Sequence, residues 1–482
     1  MKNSTSARLS IGVALLPIIF LILLLSINVF IYGDDSLNGT NQFILILSGL
    51  FGASIGFLYN VSYKKILTSI SNSVKSVTGA LLILLFVGAL AGTWMISGII
   101  PAMVYYGLKI LDPNIFLPAC IIICSIISVA TGSSWTTSAT VGIALVGIGK
   151  ALGIPAGMVG GAVIAGAYFG DKLSPLSDTT NLASAVTKVD LFKHIKYLTY
   201  TTIPSISITL IIFIILGFLQ VSDGTTDNAY LLNAISEKFN ISLALFIVPL
   251  LVLIMIVKKT PPLIALVTGT LVGALFSLIF QPQIITELSG GTNFSLVDSY
   301  IVIMNTITGE INIETNNEIL NDLFSTGGML GMMNTIFLVI GTMVFGGVMD
   351  AIGALKTISK ALLKWADNSF KLFASTVASC LALNVSASDQ YLSIVVSGKM
   401  FENAFKDKGL APENLSRTIE DSATVTSALI PWNSCGAYHS SVLGVSVGEY
   451  FIYAIFNWIS PFMTLLYAAL RIKIRTLGIK NQ

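Results

Sequence analysis

Residues 170–181 read G-D-K-L-S-P-L-S-D-T-T-N, between apolar runs at 154–169 and 197–219. Two carboxylates, a lysine, a proline and a string of hydroxyls and amides therefore sit where flanking hydropathy places the middle of a membrane. Charge in hydrocarbon is expensive, so such a cluster marks a functional site by default. Pro175 removes a backbone donor and clashes with the preceding turn. The stretch reads as a helix broken mid-membrane, its freed backbone groups lining a polar cavity. The competing reading is a solvated loop between two spans. Such a loop has no need for Ser177, Thr179, Thr180 and Asn181 packed beside Asp171 and Asp178.

Composition agrees with membrane residence. Of 482 residues, 54% are apolar and 10% charged, and mean hydropathy is +0.85; this is a polytopic membrane protein. The first apolar run, 11–32, is too long for a signal peptide and lacks a small-x-small cleavage site, so a retained span is expected. Cys120, Cys124, Cys380 and Cys435 fit neither a zinc nor a disulfide pattern. His194 and His439 fall at predicted span ends, where surface positions are expected.

Spans are expected near 11–32, 42–59, 78–97, 197–219, 240–257, 261–281, 328–350 and 449–470, with broken spans near 154–187 and 416–440. The stretches 114–149 and 370–398 are apolar but polar at their centres, and each reads as a re-entrant hairpin. With the N-terminus inside, 21 of the 26 basic residues fall on internal segments. A layout of wrong parity would scatter them, so the positive-inside rule supports this one, with both termini cytoplasmic. The segment 282–326 carries six acidic residues and no base, which places it outside.

The order of features repeats. Residues 92–98 align loosely with 346–352, 131–137 with 384–390, and 174–175 with 430–431, at offsets of 253 to 256. This alignment puts Asp389 opposite Thr136. Each half has five crossings, an odd number, so the halves must be inverted. The expected fold is all-α: two inverted repeats of five spans, each with a re-entrant hairpin and a broken helix. The first repeat is 1–220, an external linker 221–239, and the second repeat 240–482. Such repeats place a transporter's site at the midplane. Lys356, Lys360 and Lys364, four residues apart, fall on one helix face; they suit a helix lying on anionic headgroups or, equally, an ordinary cytoplasmic loop helix.

Four polar stretches are candidates for the site. The first hairpin tip offers Ser133, Ser134, Thr136 and Thr137, although Ser and Thr can also bond back to their own helix. The core stretch offers Asp171, Ser177, Asp178, Thr179, Thr180 and Asn181. The second tip offers Asn384, Ser386 and Asp389. The second broken span offers Glu420, Asp421, Asn433 and Ser434. Arg417 stands three and four positions before Glu420 and Asp421, so a structural ion pair competes for one of them. Asp171 could pair with Lys172. Asp178 has no closer base than Lys172 and is favoured as the ion-binding carboxylate. Hydroxyl, amide and carboxylate oxygens are hard ligands, suited to Na+ or H+ rather than a soft metal. Asp178, Thr136 and Thr137 are the expected Na+ ligands. Sparse arginine argues against a large anion clamp, and no nucleotide motif points to ATP. A channel is the rival from another functional class, but a duplicated broken-helix plan suits alternating access. An enzyme would need a nucleophile–base pair or metal triad that is not evident.

Residues 170–181, T-G-S-S-W-T-T at 131–137, and E-D-S-A-T with P-W-N-S-C-G-A between 420 and 437 resemble the NhaC-type Na+/H+ antiporters over nearly the whole chain. The resemblance implies an elevator-like exchanger in the plasma membrane, working as a homodimer. It needs no cofactor or nucleic acid, and Na+, H+ and the lipid bilayer are its partners. It implies antiport of Na+ against H+ through a carboxylate shared by the two ions. The alternative is Na+- or H+-coupled exchange of a small organic anion resembling malate or lactate, or of an amino acid. The topology is tested by single cysteines: those in 282–326 should react with impermeant reagents from outside, those in 399–415 only after permeabilisation. The reverse labelling would overturn the layout.

Overall fold

The computed structural model describes residues 9–32, 36, 38–110, 112–219, 228–291, 295–315 and 318–477. Lys2, Arg8 and Lys480, all counted above as internal, and positions 221–227 of the expected linker lie outside the described residues. Three helices open the chain: α1 (Ile11–Tyr32), α2 (Thr40–Leu58) and α3 (Tyr63–Ile96). The last has 34 residues, about 50 Å at 1.5 Å each, so it outruns a ~30 Å hydrocarbon layer. The expected span 78–97 is only its apolar second half. A short helix, α4 (Ile99–Ile110), follows.

The chain then doubles back. α5 (Pro113–Thr131) stops at left-handed Gly132, and the return arm runs through α6 (Ser134–Thr137), a π-helical turn (Ser138–Gly142) and α7 (Ile143–Ala151). α8 (Ala156–Leu173) and α9 (Asp178–Val186) form one helix interrupted at residues 174–177, as the proline predicts. α10 (Leu191–Leu219) closes this half. Gly166 and Gly170 let α8 approach α5 closely: a Cβ there would lie 2.4 Å and 2.5 Å from the carbonyl oxygens of Ile121 and Ser125. Small residues are what permit such backbone contact between apolar helices.

The connection to the second half is more helical than a linker. α11 (Asn228–Lys238) occupies most of the expected 221–239 segment. A 3-10 turn (Leu243–Phe246) and α12 (Ile247–Val257) follow, bent 83° from α11. The expected span 240–257 is thus not one straight α-helix. α13 (Pro262–Phe280) precedes a region of short elements: α14 (Pro282–Leu288), α15 (Leu296–Thr308), an antiparallel pair β1 (Ile311–Asn312) and β2 (Ser325–Thr326), and α16 (Glu318–Leu323) between those strands.

From α17 (Gly328–Gly331) and α18 (Met333–Ala351) the earlier order returns. α19 (Ala354–Lys364) is the short helix, and α20 (Ser369–Ser386) and α21 (Gln390–Asp407) are the paired arms. α22 (Pro412–Ile419) runs through a π turn (Glu420–Thr424) and a 3-10 turn (Ser427–Leu429) to a break, then α23 (Ser434–Leu443), α24 (Val447–Tyr450) and α25 (Ile455–Leu470). The arms α20 and α21 fold on each other: Ser393 Oγ donates to the Cys380 carbonyl at 3.0 Å.

From residue 112 onward, backbone landmarks recur with a spacing of 256 residues. Left-handed Gly132, Gly153 and Lys188 are matched by Ser388, Gly409 and Gly444. Helix caps Asp112, Ser133 and Ser177 are matched by Asn368, Asp389 and Asn433. Ser128 Oγ donates to the Ala167 carbonyl, and Asn384 Nδ2 to the Ala423 carbonyl. This register pairs Asp389 with Ser133, correcting the match to Thr136. Eight described helices are long and apolar enough to cross a bilayer, or nine if the bent pair is one span. They include α5 and α20, read above as hairpin arms.

One buried ion pair ties the two broken helices together. Lys172 in the last turn of α8 meets Asp421 in the π turn, both fully buried. Thr464 of α25 donates to the other Asp421 oxygen, and the Lys172 ammonium lies 5.5 Å from the Phe456 ring centre. Removing one partner strands the other charge, which typically costs about 3–5 kcal/mol. Asp421→Ala should therefore lower thermal stability in detergent sharply, and the paired change Lys172→Met with Asp421→Leu should restore most of it. An Asp421→Ala protein that melts like the wild type would show that the pair does not hold the helices.

Candidate functional site

The site is assembled from the four places where helices stop inside the protein. At the first hairpin tip the chain must turn left-handed at Gly132 (φ +69°), and a Cβ there would meet the Leu176 backbone at 2.6 Å. This glycine seats the tip on the break of the first broken helix. Ser133 caps the return arm, accepting from Thr136 N–H at 3.1 Å. The arm's first N–H groups consequently point at Asp171. Ser134 donates to Asp171 Oδ2 through its backbone N–H (3.1 Å) and its hydroxyl (2.7 Å), the preferred placement of an anion at a helix start. Asp171 Oδ1 is buried with no hydrogen-bond partner among the described residues.

Thr137 and Thr136 part company. The Thr137 hydroxyl donates to the Ser133 carbonyl at 2.9 Å, back-bonding of the kind Ser and Thr make in helices. Thr136 lines the cavity described below.

At the first break Ser177 caps α9, accepting from Thr180 N–H at 3.3 Å. Thr180 Oγ1 donates to the Lys172 carbonyl, and Asn181 Nδ2 donates to the Pro175 and Ser177 carbonyls. These side chains satisfy backbone groups that Pro175 leaves unpaired. Asp178 is exposed at the start of α9. Its Oδ1 accepts from Thr179 N–H at 2.9 Å and its Oδ2 from the Tyr391 hydroxyl at 2.5 Å.

The second hairpin tip turns at Ser388 (φ +56°), and Asp389 caps α21 by accepting from Leu392 N–H at 2.9 Å. Its other oxygen, Oδ2, is buried without a partner among the described residues. Asn384 donates to the Ala423 carbonyl and to Thr426 Oγ1, while its own Oδ1 has no partner among the described residues. Ser386 bonds back to the Ala382 carbonyl. At the second break Asn433 caps α23, accepting from Cys435 N–H at 3.0 Å and donating to the Asn384 carbonyl at 3.0 Å. Ser434 N–H donates to the Ser388 carbonyl, joining this break to the tip.

In the second broken helix Glu420 accepts from Thr179 Oγ1 at 3.2 Å, leaving Oε2 buried and unpaired. Asp421 is committed to Lys172 and Thr464. Arg417 pairs with neither acid: its guanidinium lies 4.6 Å from the Tyr197 ring centre and donates to the Lys473 carbonyl at 3.4 Å. The local spacing rule fails because a helix on the other side of the core offers Lys172 to Asp421. Asp171 likewise takes Ser134 instead of Lys172. Both histidines are corrected as well: they are fully buried, not at the surface. His194 Nδ1 pairs with Ser416 Oγ and His439 Nδ1 with Ser138 Oγ, so neighbouring hydroxyls make burial tolerable.

A cavity of roughly 470 Å³ lies between these parts. Thr131, Ser133, Ser134, Thr136, Asp171, Asp178, Gln390, Tyr391 and Ser434 line one side; Ser76 to Ile83 of α3 and the turn from Lys259 to Pro262 line the other. The structure thus brings together residues from all four polar stretches. Asp389, Asn384, Glu420 and Asp421 are buried outside that lining. Sequence reasoning passed over Gln390, Tyr391 and Lys259. Tyr391, two residues past the Asp389 cap, could have been found by extending the tip; Lys259 carried only the signal of a loop base. Trp135, stacked on Tyr438 with ring centres 3.9 Å apart, pins the first tip to α23.

Residues 166–472 match the model of the Na+/H+ antiporter family. The chain is 38% identical over 428 residues to the Na(+)/H(+) antiporter NhaC of Alkalihalophilus pseudofirmus, covering 89% of this chain and 90% of that one. It is 36% identical over 444 residues to the Malate-2H(+)/Na(+)-lactate antiporter of Bacillus subtilis, covering 92% and 90%. It is 34% identical over 465 residues to the Arginine/ornithine antiporter ArcD of Halobacterium salinarum, covering 95% and 92%. The relatives are transporters, not enzymes, and the chain, a membrane protein of many apolar helices, belongs to the Na+/H+ antiporter family.

Proposed function

We propose that the chain exchanges Na+ for H+ across the plasma membrane by alternating access, with Asp178 as the carboxylate that holds one ion or the other. The observation that carries this reading is that all four polar stretches contribute residues to one cavity, where Asp178 lies near Asp171, whose Oδ1 has no hydrogen-bond partner among the described residues. A carboxylate that binds Na+ or H+, but not both, makes exchange obligatory. Asp178 faces the cavity, as does Asp171. Thr136, Ser133, Ser134 and Ser434 supply neutral oxygens nearby, hard donors that fit an alkali cation.

The 256-residue spacing of caps and turns supports two repeats, which we read as inverted because each contains an odd number of crossings. The two hairpins are then re-entrant, one from each side, and both termini are cytoplasmic. Lys259 and its neighbour Lys258 support an internal position for the 258–262 turn, which on this reading opens the cavity inward. An elevator-like movement within a homodimer is the corresponding mechanism.

A second reading has its own observation. The cavity is far larger than a bare Na+, and Lys259 lines it. A small carboxylate substrate fits that volume and charge, and two relatives are named for organic substrates. Lys259→Ala separates the readings: it should leave Na+/H+ exchange intact but abolish any exchange that depends on an organic anion.

Two further outcomes test the principal reading. Asp178→Asn should abolish Na+-driven pH change in proteoliposomes while leaving folding near normal; if exchange and Na+-dependent thermal stabilisation persist, Asp171, Asp389 or Glu420 takes its place. Thr136→Ala should weaken apparent Na+ affinity by an amount equivalent to about 1–3 kcal/mol if an oxygen ligand is lost. Thr137→Ala should have the smaller effect, since that hydroxyl is already engaged with Ser133. Equal affinities in both variants and wild type would remove the first tip from the Na+ site.

A further inference from the structure

The short helices α4 and α19 occupy equivalent places in the two halves. Each follows a left-handed glycine, Gly98 (φ +78°) or Gly353 (φ +80°), and each leads into a hairpin. Their shared task is to link a long helix to the paired arms. Their chemistry differs. α4 carries one base, Lys109, folded 4.4 Å from the Tyr105 ring centre. α19 carries Lys356, Lys360 and Lys364, all exposed along one face, while Ala354, Leu355 and Ile358 are buried on the other. Since α4 makes the same connection without them, the three lysines are not required by the fold.

These lysines line a groove of roughly 600 Å³ between α19 and the start of α1, with Leu9, Ile11 and Ile352 also in its lining. No carboxylate lines it, and none of the three ammonium groups forms an ion pair among the described residues. Above the groove α1 exposes Leu16, Ile19 and Leu23, an apolar track running away from the lysines. Trp365, the next residue after Lys364, is exposed, as suits a side chain at headgroup level.

We propose that this groove is a binding site for an anionic phospholipid, its phosphate held by Lys356, Lys360 and Lys364 and its acyl chains lying along α1. The phosphate supplies acceptor oxygens to three ammonium groups that have no carboxylate partner among the described residues, and the apolar track supplies a surface for the chains. A free phosphate would use the lysines but not the track. A zwitterionic lipid would use the track but add its own cation beside the lysines.

The test is native mass spectrometry of the purified full chain after lipid removal, titrated with phosphatidylglycerol, phosphatidylcholine or inorganic phosphate. Phosphatidylglycerol should bind the wild type at one tight site, and phosphatidylcholine and phosphate should not compete for it at equal concentration. Lys356→Gln/Lys360→Gln/Lys364→Gln should weaken that binding on the order of 100-fold, about fivefold per lysine, and the triple Arg variant should retain it. Lys360→Glu gives the same direction with a single exposed change, should the triple variant fold poorly. Unchanged binding in the Gln and Glu variants, or equal competition by either control, overturns the proposal. None of the three lysines lines the transport cavity, so Na+/H+ exchange in phosphatidylcholine vesicles should survive the substitutions whichever way the lipid result falls.

Discussion

A helix that stops inside an apolar protein leaves backbone N–H and C=O groups that must find partners, and the structure is arranged around meeting that requirement four times. The two hairpin tips and the two helix breaks satisfy one another. Ser133, Ser177, Asp389 and Asn433 cap the helices that restart. Ser434 N–H reaches Ser388 across the second pair, and Gly132 lets the first tip lie against Leu176. Polar groups from both tips and both breaks are thereby brought close together, and Ser133, Ser134, Asp171, Asp178, Gln390, Tyr391 and Ser434 among them line the cavity. The ion pair of Lys172 with Asp421 fastens the two broken helices beside it, so the geometry of one break depends on the other.

The same constraint separates residues by task. Thr180, Asn181, Ser386 and Thr137 spend their side chains on the backbone, as helix ends demand. Asp171, Asp389 and Glu420 each keep an unpaired buried oxygen. An unpaired buried carboxylate oxygen is costly, and a cation, a proton or a buried water would relieve that cost.

Much of this was legible in the sequence. Pro175 among hydroxyls announced the first break, and the hydroxyl-rich centre of the apolar stretch 114–149 announced the hairpin tip. Apolar run lengths gave α1, α2 and α13 to within two residues but missed the polar first half of α3. Other features were not legible. The repeat spacing emerged as 253 to 256 from the sequence, because equivalent positions hold different side chains: glycine opposite Ser388, serine opposite Asp389. Only backbone conformation and capping reveal the constant register. The partner of Asp421 lies 249 residues away, beyond any local spacing rule, so nearby Arg417 looked the better candidate. Hydropathy put the histidines at span ends and could not foresee that Ser138 and Ser416 would hold them inside. Tyr391 reaches Asp178 across 213 residues, a contact only the fold supplies.

The central claim is that Na+ and H+ alone complete the exchange cycle. It is tested most directly by radioactive Na+ uptake into proteoliposomes holding the purified wild-type protein, with an imposed pH gradient and no organic anion or amino acid on either side. Accumulation of Na+ above its equilibrium level, reversing when the pH gradient is reversed, is the predicted result. Uptake that stays at the level of protein-free vesicles until an organic substrate is added would contradict it.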